Sequence, residues 1–223
     1  MPTYEQLGFG QGAALTGDRA RAVFGHVMGL VVVALGFAAL GAYVMRNAQT
    51  SGFIFIIAAF ACVFGLQAAA ARGHEQLAVG LLFLMALLLG MAISSIVVYY
   101  AKSDPGVVYQ AAGSTALFTG ALGAFGYSTR RDLSPYVKPL LIAFGVVFVF
   151  GLIALFVAIP HSNIIYCVLM LIVFGGFTIF DFNRLAQSGQ YQSAAPIAAS
   201  IFLDIFNVFL LFLSLFGGGG QRR

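Results

Sequence analysis

Seven apolar stretches, each long enough to cross a bilayer and joined by short polar connections, leave this chain little choice of architecture. They run over Val23–Met45, Gly52–Ala71, Leu77–Tyr100, Val107–Tyr127, Val137–Ile159, Asn163–Phe182 and Ala194–Phe216. A helix needs about 20 apolar residues to span the hydrocarbon core, and in lipid only helices and closed barrels satisfy every backbone polar group. The sequence therefore predicts an all-α integral membrane protein, a seven-transmembrane-helix bundle. Of its 223 residues 8% are charged, against about 25% in soluble domains, which leaves no room for a separate soluble domain. The expected organisation is an amino-terminal tail over residues 1–22, a transmembrane domain over 23–216 and a flexible carboxy-terminal tail over 217–223.

The connections carry turn-forming residues: Asn47 to Ser51, Arg72-Gly73-His74-Glu75, Ser103-Asp104-Pro105-Gly106 and Pro160-His161-Ser162. The stretch from Gln187 to Ser193, with Gly189, reads as a solvated loop. The first apolar segment is too long for a signal peptide and no small-residue cleavage site follows it, so it reads as a retained helix. Of the 11 Lys and Arg residues, Arg19, Arg21, Arg72, Arg130, Arg131, Lys138 and Arg184 fall on one side, and Arg46, Lys102, Arg222 and Arg223 on the other. That bias places the N-terminus in the cytoplasm and, with seven spans, the C-terminus outside. These cations are scattered at segment ends and form no basic stripe, so nucleic acid is not an expected partner; the lipid bilayer is. Cys62 and Cys167 lie inside apolar spans and read as small buried hydrophobes rather than a disulfide or metal pair.

Two lone carboxylates interrupt this apolar background. Asp181 sits in Phe180-Asp181-Phe182-Asn183-Arg184 and Asp204 in Leu203-Asp204-Ile205-Phe206-Asn207. A carboxylate at bilayer depth costs roughly 3 kcal/mol on insertion scales, and it persists when paired, hydrated or functional. In the last segment Ser200, Asp204, Asn207, Leu211 and Ser214 recur at helical spacing, predicting one polar face turned to protein or water and the remainder to lipid. Serine and asparagine alone fit interhelical hydrogen bonding; Asp204 needs a partner or water. Asp181 stands three residues before Arg184, a spacing that suits an ion pair at a helix end, and it also follows Gly175-Gly176, where another helix can approach closely. Two carboxylates in contact cannot both ionise cheaply, so they share a proton and titrate as a pair. A neighbouring guanidinium would retune that pair, and Arg72, expected on the same side, is the candidate alongside its plain role as a topology anchor. Gly113, Ala116, Gly120 and Gly123 mark the fourth segment as tightly packed in the bundle centre.

With these residues in place the chain resembles a known family. Gly113-Ser114-Thr115, Arg130-Arg131-Asp132-Leu133-Ser134, Phe180 to Leu185, and Ser200 to Phe209 continuing through Leu215-Phe216-Gly217 are similar to the Bax inhibitor-1 family, also called the transmembrane Bax inhibitor motif (TMBIM) family, in its bacterial branch. The resemblance covers the whole membrane region and is most specific in its last third. It implies a seven-helix bundle around a di-aspartyl pH sensor formed by Asp181 and Asp204, with an arginine matching Arg72 acting on the pair. It also implies a pH-sensitive calcium leak channel of the bacterial inner membrane, with Ca²⁺ as a transiently held permeant ion on Asp181 and Asp204 and no resident cofactor. Ser200, Asn207 and Arg184 form the supporting polar face. The lysine-rich tail of eukaryotic relatives is missing, so calcium regulation through such a tail is not implied.

Other function classes remain to be weighed. A non-conducting regulator that binds and restrains a membrane-bound protease would use the amino-terminal tail, where Gly8, Gly10, Gly12 and Gly17 suggest flexibility. An intramembrane aspartyl protease also places aspartates on adjacent helices, but it requires a glycine directly before the second, and here that residue is Leu203. A retinal protein needs a lysine in its last helix; the lysines here are Lys102 and Lys138. No common catalytic signature occurs, and an enzyme is not expected.

Overall fold

The structure, a computed structural model, describes residues 9–48, 52–157, 160–187 and 193–218, and from 21 onward their side chains as well. Among the described residues run seven α-helices: α1 (Phe9–Val44), α2 (Phe53–Ala71), α3 (Glu75–Ser103), α4 (Pro105–Ser128), α5 (Val137–Phe156), α6 (Ser162–Gln187) and α7 (Ala194–Gly218). No strand occurs among the described residues. The helix count matches the sequence, with two differences at the ends. The first helix begins at Phe9, so residues 9–22 of the expected tail are helical and Gly10, Gly12 and Gly17 lie within a helix; Gly8 is outside the described residues. Gly217 and Gly218 extend α7 into the expected flexible terminus, and 219–223 fall outside the described residues.

Among the described residues six helices are both long and apolar enough to cross a membrane; α4 is not among them. Its 24 residues reach about 36 Å, ample for a span, but Gln110, Ser114, Thr115, Thr119 and several glycines dilute its hydropathy. Local chemistry sets the ends. Asp104 caps α4, its Oδ1 accepting the Gly106 N–H at 3.1 Å, with Pro105 in the first turn where a missing N–H costs nothing. Between α2 and α3 the His74 N–H reaches the Ala69 carbonyl at 2.9 Å and the Gly73 N–H reaches Ala70 at 3.0 Å. This is a Schellman turn, and Gly73 supplies its left-handed residue at φ +77°.

Helix α3 packs against α1 and α2, and α6 against α4 and α5; α3 also touches α4 and α1 touches α6, and α7 joins the two groups by touching α1, α2, α3, α4 and α6. This overturns the expectation that most of α7 faces lipid. Ile201, Phe202, Val208 and Leu213 are fully buried in protein, because the helix is central and its apolar flanks meet other helices. The lipid-facing surface belongs instead to peripheral helices, with Phe60 and Phe64 of α2 and Leu155 and Phe156 of α5 well exposed. The small residues of α4 also divide differently from expectation. Gly123 is buried with Gly126, Thr115 and Thr119, whereas Gly113, Ala116 and Gly120 are on an exposed side. That side borders a furrow between α1 and α4, floored by Ile205 of α7, which holds cavities of about 480 and 460 Å³. Cys62 and Cys167 are buried free thiols, as expected; His26 and Gln67 are exposed.

Candidate functional site

Asp181 lies six residues before the end of α6 and Asp204 ten residues into α7, about 9 and 15 Å along their helices from the same end of the bundle. The antiparallel contact of α6 and α7 brings them together. The two carboxyls are within hydrogen-bonding reach of each other, and both residues are buried, at 7% and 6% exposure. The Ser200 hydroxyl also faces Asp181, and the Thr178 hydroxyl faces Asp204. Each hydroxyl sits close to a carbonyl of its own helix as well, Ser200 Oγ 3.1 Å from Ile197 O and Thr178 Oγ1 2.8 Å from Phe174 O. A hydroxyl has one proton, so carboxyl and carbonyl compete for it. Asp204 Oδ2 is buried with no hydrogen-bond partner. A buried, orphaned carboxyl oxygen is costly unless a proton, a water or a cation reaches it.

The supporting residues fall into place unequally. Asn207 turns back on its own helix, donating to the Leu203 carbonyl at 2.7 Å, and Ser214 bonds Asn163 Oδ1 of α6 at 3.2 Å. Arg184 is the guanidinium whose charge reaches Asp181. Arg72, expected to act on the pair, is exposed at the C-terminal cap of α2 and is not among the groups that act on Asp181 or Asp204. Among the described residues no group of three or more His, Cys, Asp or Glu side chains gathers to hold a metal.

Two residues without an expected role anchor this end of the bundle. Asn183, 2% exposed, shares the two protons of Nδ2 among the carbonyls of Thr129 at 2.7 Å, Arg131 at 3.1 Å and Gly126 at 3.4 Å, and its Oδ1 accepts from the Leu133 N–H at 3.3 Å. It thereby fastens the α4–α5 connection to α6, two residues from Asp181. Within that connection Asp132 Oδ1 accepts the Ser134 N–H at 2.9 Å. Bonds from the Ser134 side chain and backbone hold the exposed Asp132 carboxyl below its usual range. This small local cap is therefore present above the ordinary carboxylate pKa and is lost only as pH falls through the lowered one. Glu75, at the start of α3, is the second anchor; its carboxylate holds the head of α7. The available signal was a polar residue set among apolar ones beside a known site, and an acid opening an otherwise apolar helix.

Comparison with known proteins decides the family. The family model described as "Inhibitor of apoptosis-promoting Bax1" matches residues 20–222. The chain belongs to the Bax inhibitor family. The match covers all the candidate site residues, Asp181 and Asp204 included. Bacterial proteins share the sequence over most of their length. A Helicobacter pylori protein is 30% identical over 166 residues, 74% of this chain and 71% of its own. A Chlamydia muridarum protein is 29% identical over 231 residues, covering 96% of each chain. A Streptococcus pyogenes serotype M3 protein, 27% identical over 212 residues with 87% and 91% covered, is described as an uncharacterized membrane protein. Together with six apolar membrane-length helices, Bax inhibitor family membership makes this a multi-pass membrane protein.

Proposed function

We propose that this Bax inhibitor family protein is a pH-sensitive calcium leak channel of the bacterial inner membrane, with seven spans and a cytoplasmic N-terminus. The observation that carries the reading is the paired, buried carboxyls of Asp181 and Asp204 with Asp204 Oδ2 left without a partner. Protons and a hard cation compete for such a site. Ca²⁺ prefers oxygen ligands and takes about six to eight of them. The pair with Ser200 and Thr178 offers fewer, which suits an ion that passes while keeping part of its water rather than one that stays. Proton occupancy of the pair sets how α6 and α7 close against each other. No enzymatic step and no resident cofactor enters this reading. The protease-regulator alternative leaned on a flexible amino-terminal tail; with residues 9–22 helical, the aspartate pair is the better-supported basis for function.

Purified protein alone in calcium-loaded liposomes is expected to release Ca²⁺ at a rate that depends on pH. Release no faster than from protein-free liposomes at every pH overturns the reading. In the same assay Arg184→Gln is expected to move the midpoint of the pH profile, because its charge reaches Asp181, and Arg72→Gln to leave it in place. A midpoint that moves with Arg72 and not with Arg184 would return Arg72 to the site.

A further inference from the structure

The helix that carries Asp204 has no acidic residue in its own first turn. Its free N–H groups are met instead by a carboxylate from another helix. Glu75 Oε1 accepts the backbone N–H of Ala194 at 3.1 Å and of Ala195 at 3.3 Å, while Oε2 accepts from the Ser193 hydroxyl. The next residue, Pro196, has no N–H to satisfy. One side chain thus serves the opening donors of α7 and places a negative charge at the positive end of its dipole. The Schellman turn at Arg72-Gly73-His74 makes this reach possible, since it brings the chain round so that Glu75 opens α3 beneath the head of α7.

The same contact fixes where Asp204 lies. A helix is stiff along its axis, and slipping its register by one residue moves each side chain about 1.5 Å along and about 100° around. Asp204 is ten residues from the head of α7, so a change in how that head is seated arrives undiminished at the pair. Glu75 is not among the groups acting on Asp181 or Asp204, which are each other, Ser200, Thr178 and Arg184. Its influence passes through the helix.

We propose that Glu75 is a positioning residue, a clamp between α3 and α7 that holds α7 in the register at which the Asp204 carboxyl meets Asp181. This rests on the reading of Asp181 and Asp204 as one paired site, and the contact of Glu75 with the head of α7 carries it. The clamp defines two states of α7, seated on Glu75 with the carboxyls together, and released with them apart.

The test is infrared titration of the protonated-carboxyl band in full-length protein reconstituted in lipid, assigned with Asp204→Asn. Hydrogen exchange over residues 194–203 is followed on the same samples. Wild type is expected to titrate in two separated, coupled steps. Glu75→Ala is expected to bring those steps together and to speed exchange at the head of α7 by about tenfold or more. Glu75→Asp, which keeps the charge but shortens its reach, is expected to do the same to a lesser degree, and it serves should the alanine variant not fold. Glu75→Gln retains the Oε1 acceptor and is expected to stay near wild type. Faster exchange with a titration that superimposes on wild type in both the Ala and Asp variants would reduce Glu75 to a simple cap and overturn the proposal. Uncoupled steps in wild type itself would instead remove the shared pair, and the clamp with it.

Discussion

Asp181→Asn and Asp204→Asn are each expected to abolish most of the pH dependence of calcium release, and the double substitution to add little beyond either. The reason is contact: the two carboxyls are within hydrogen-bonding reach in a buried site, so the proton they exchange belongs to the pair. Residues that act as one unit are strongly non-additive. Asparagine keeps the size and hydrogen-bonding capacity of aspartate while removing its charge and a hard oxygen ligand, so the bundle is expected to persist. Flux from liposomes measured across about pH 5 to 8, where folded proteins are usually most stable, reads the effect directly. Two separate midpoint shifts that sum in the double variant would mean the carboxylates titrate alone, and the shared site would be lost.

The second large effect is steric. Gly126 of α4 lies so close to α6 that an added Cβ would fall on the carbonyl oxygen of Ile179. Backbone cannot yield as a side chain does. Gly126→Ala is therefore expected to force α4 and α6 apart at a cost of about 1–3 kcal/mol or more. The move also strains the bond from Asn183 to the Gly126 carbonyl. Gly113→Ala is the matched control, because nothing lies within 4 Å of a Cβ there; helix propensity alone favours alanine by up to about 1 kcal/mol. Unfolding of the two variants in lipid or mixed micelles should separate them in opposite directions. Equal stabilities would show that the α4–α6 approach is looser than the backbone spacing indicates.

What the sequence made legible follows from how lipid treats side chains. Seven helices, their connections and the meeting of Asp181 with Asp204 were all readable, because a charge in an apolar span stands out and turns need Gly, Pro and Asp. The faces of the helices were not. Lipid tails are as apolar as leucine, so Phe202 buried at 0% and Phe64 exposed at 73% look alike in a hydropathy pattern. That is why the apolar flanks of α7 read as lipid-facing, and why Gly113, Ala116 and Gly120 read as central. Arg72 and Arg184 both flank spans on the expected same side, but Arg184 lies on the helix of Asp181 and acts on it, whereas Arg72 caps α2 and is exposed. Asn183 and Glu75 bind main-chain groups of distant segments, and nothing local in the sequence names those partners.

The central place of α7 bears on how the protein is made. Helices α1–α3 and α4–α6 each find neighbours soon after leaving the ribosome, but the element that joins the two groups emerges after all six. Until then the two groups are expected to be held together only by the α3–α4 and α1–α6 contacts. Assembly is therefore expected to be late and nearly all-or-none, with Asp204 entering the bilayer as its buried partner on α6 already waits. Interruption of synthesis before α7 is therefore expected to leave open the inner surfaces that Ile201, Phe202, Val208 and Leu213 would otherwise cover.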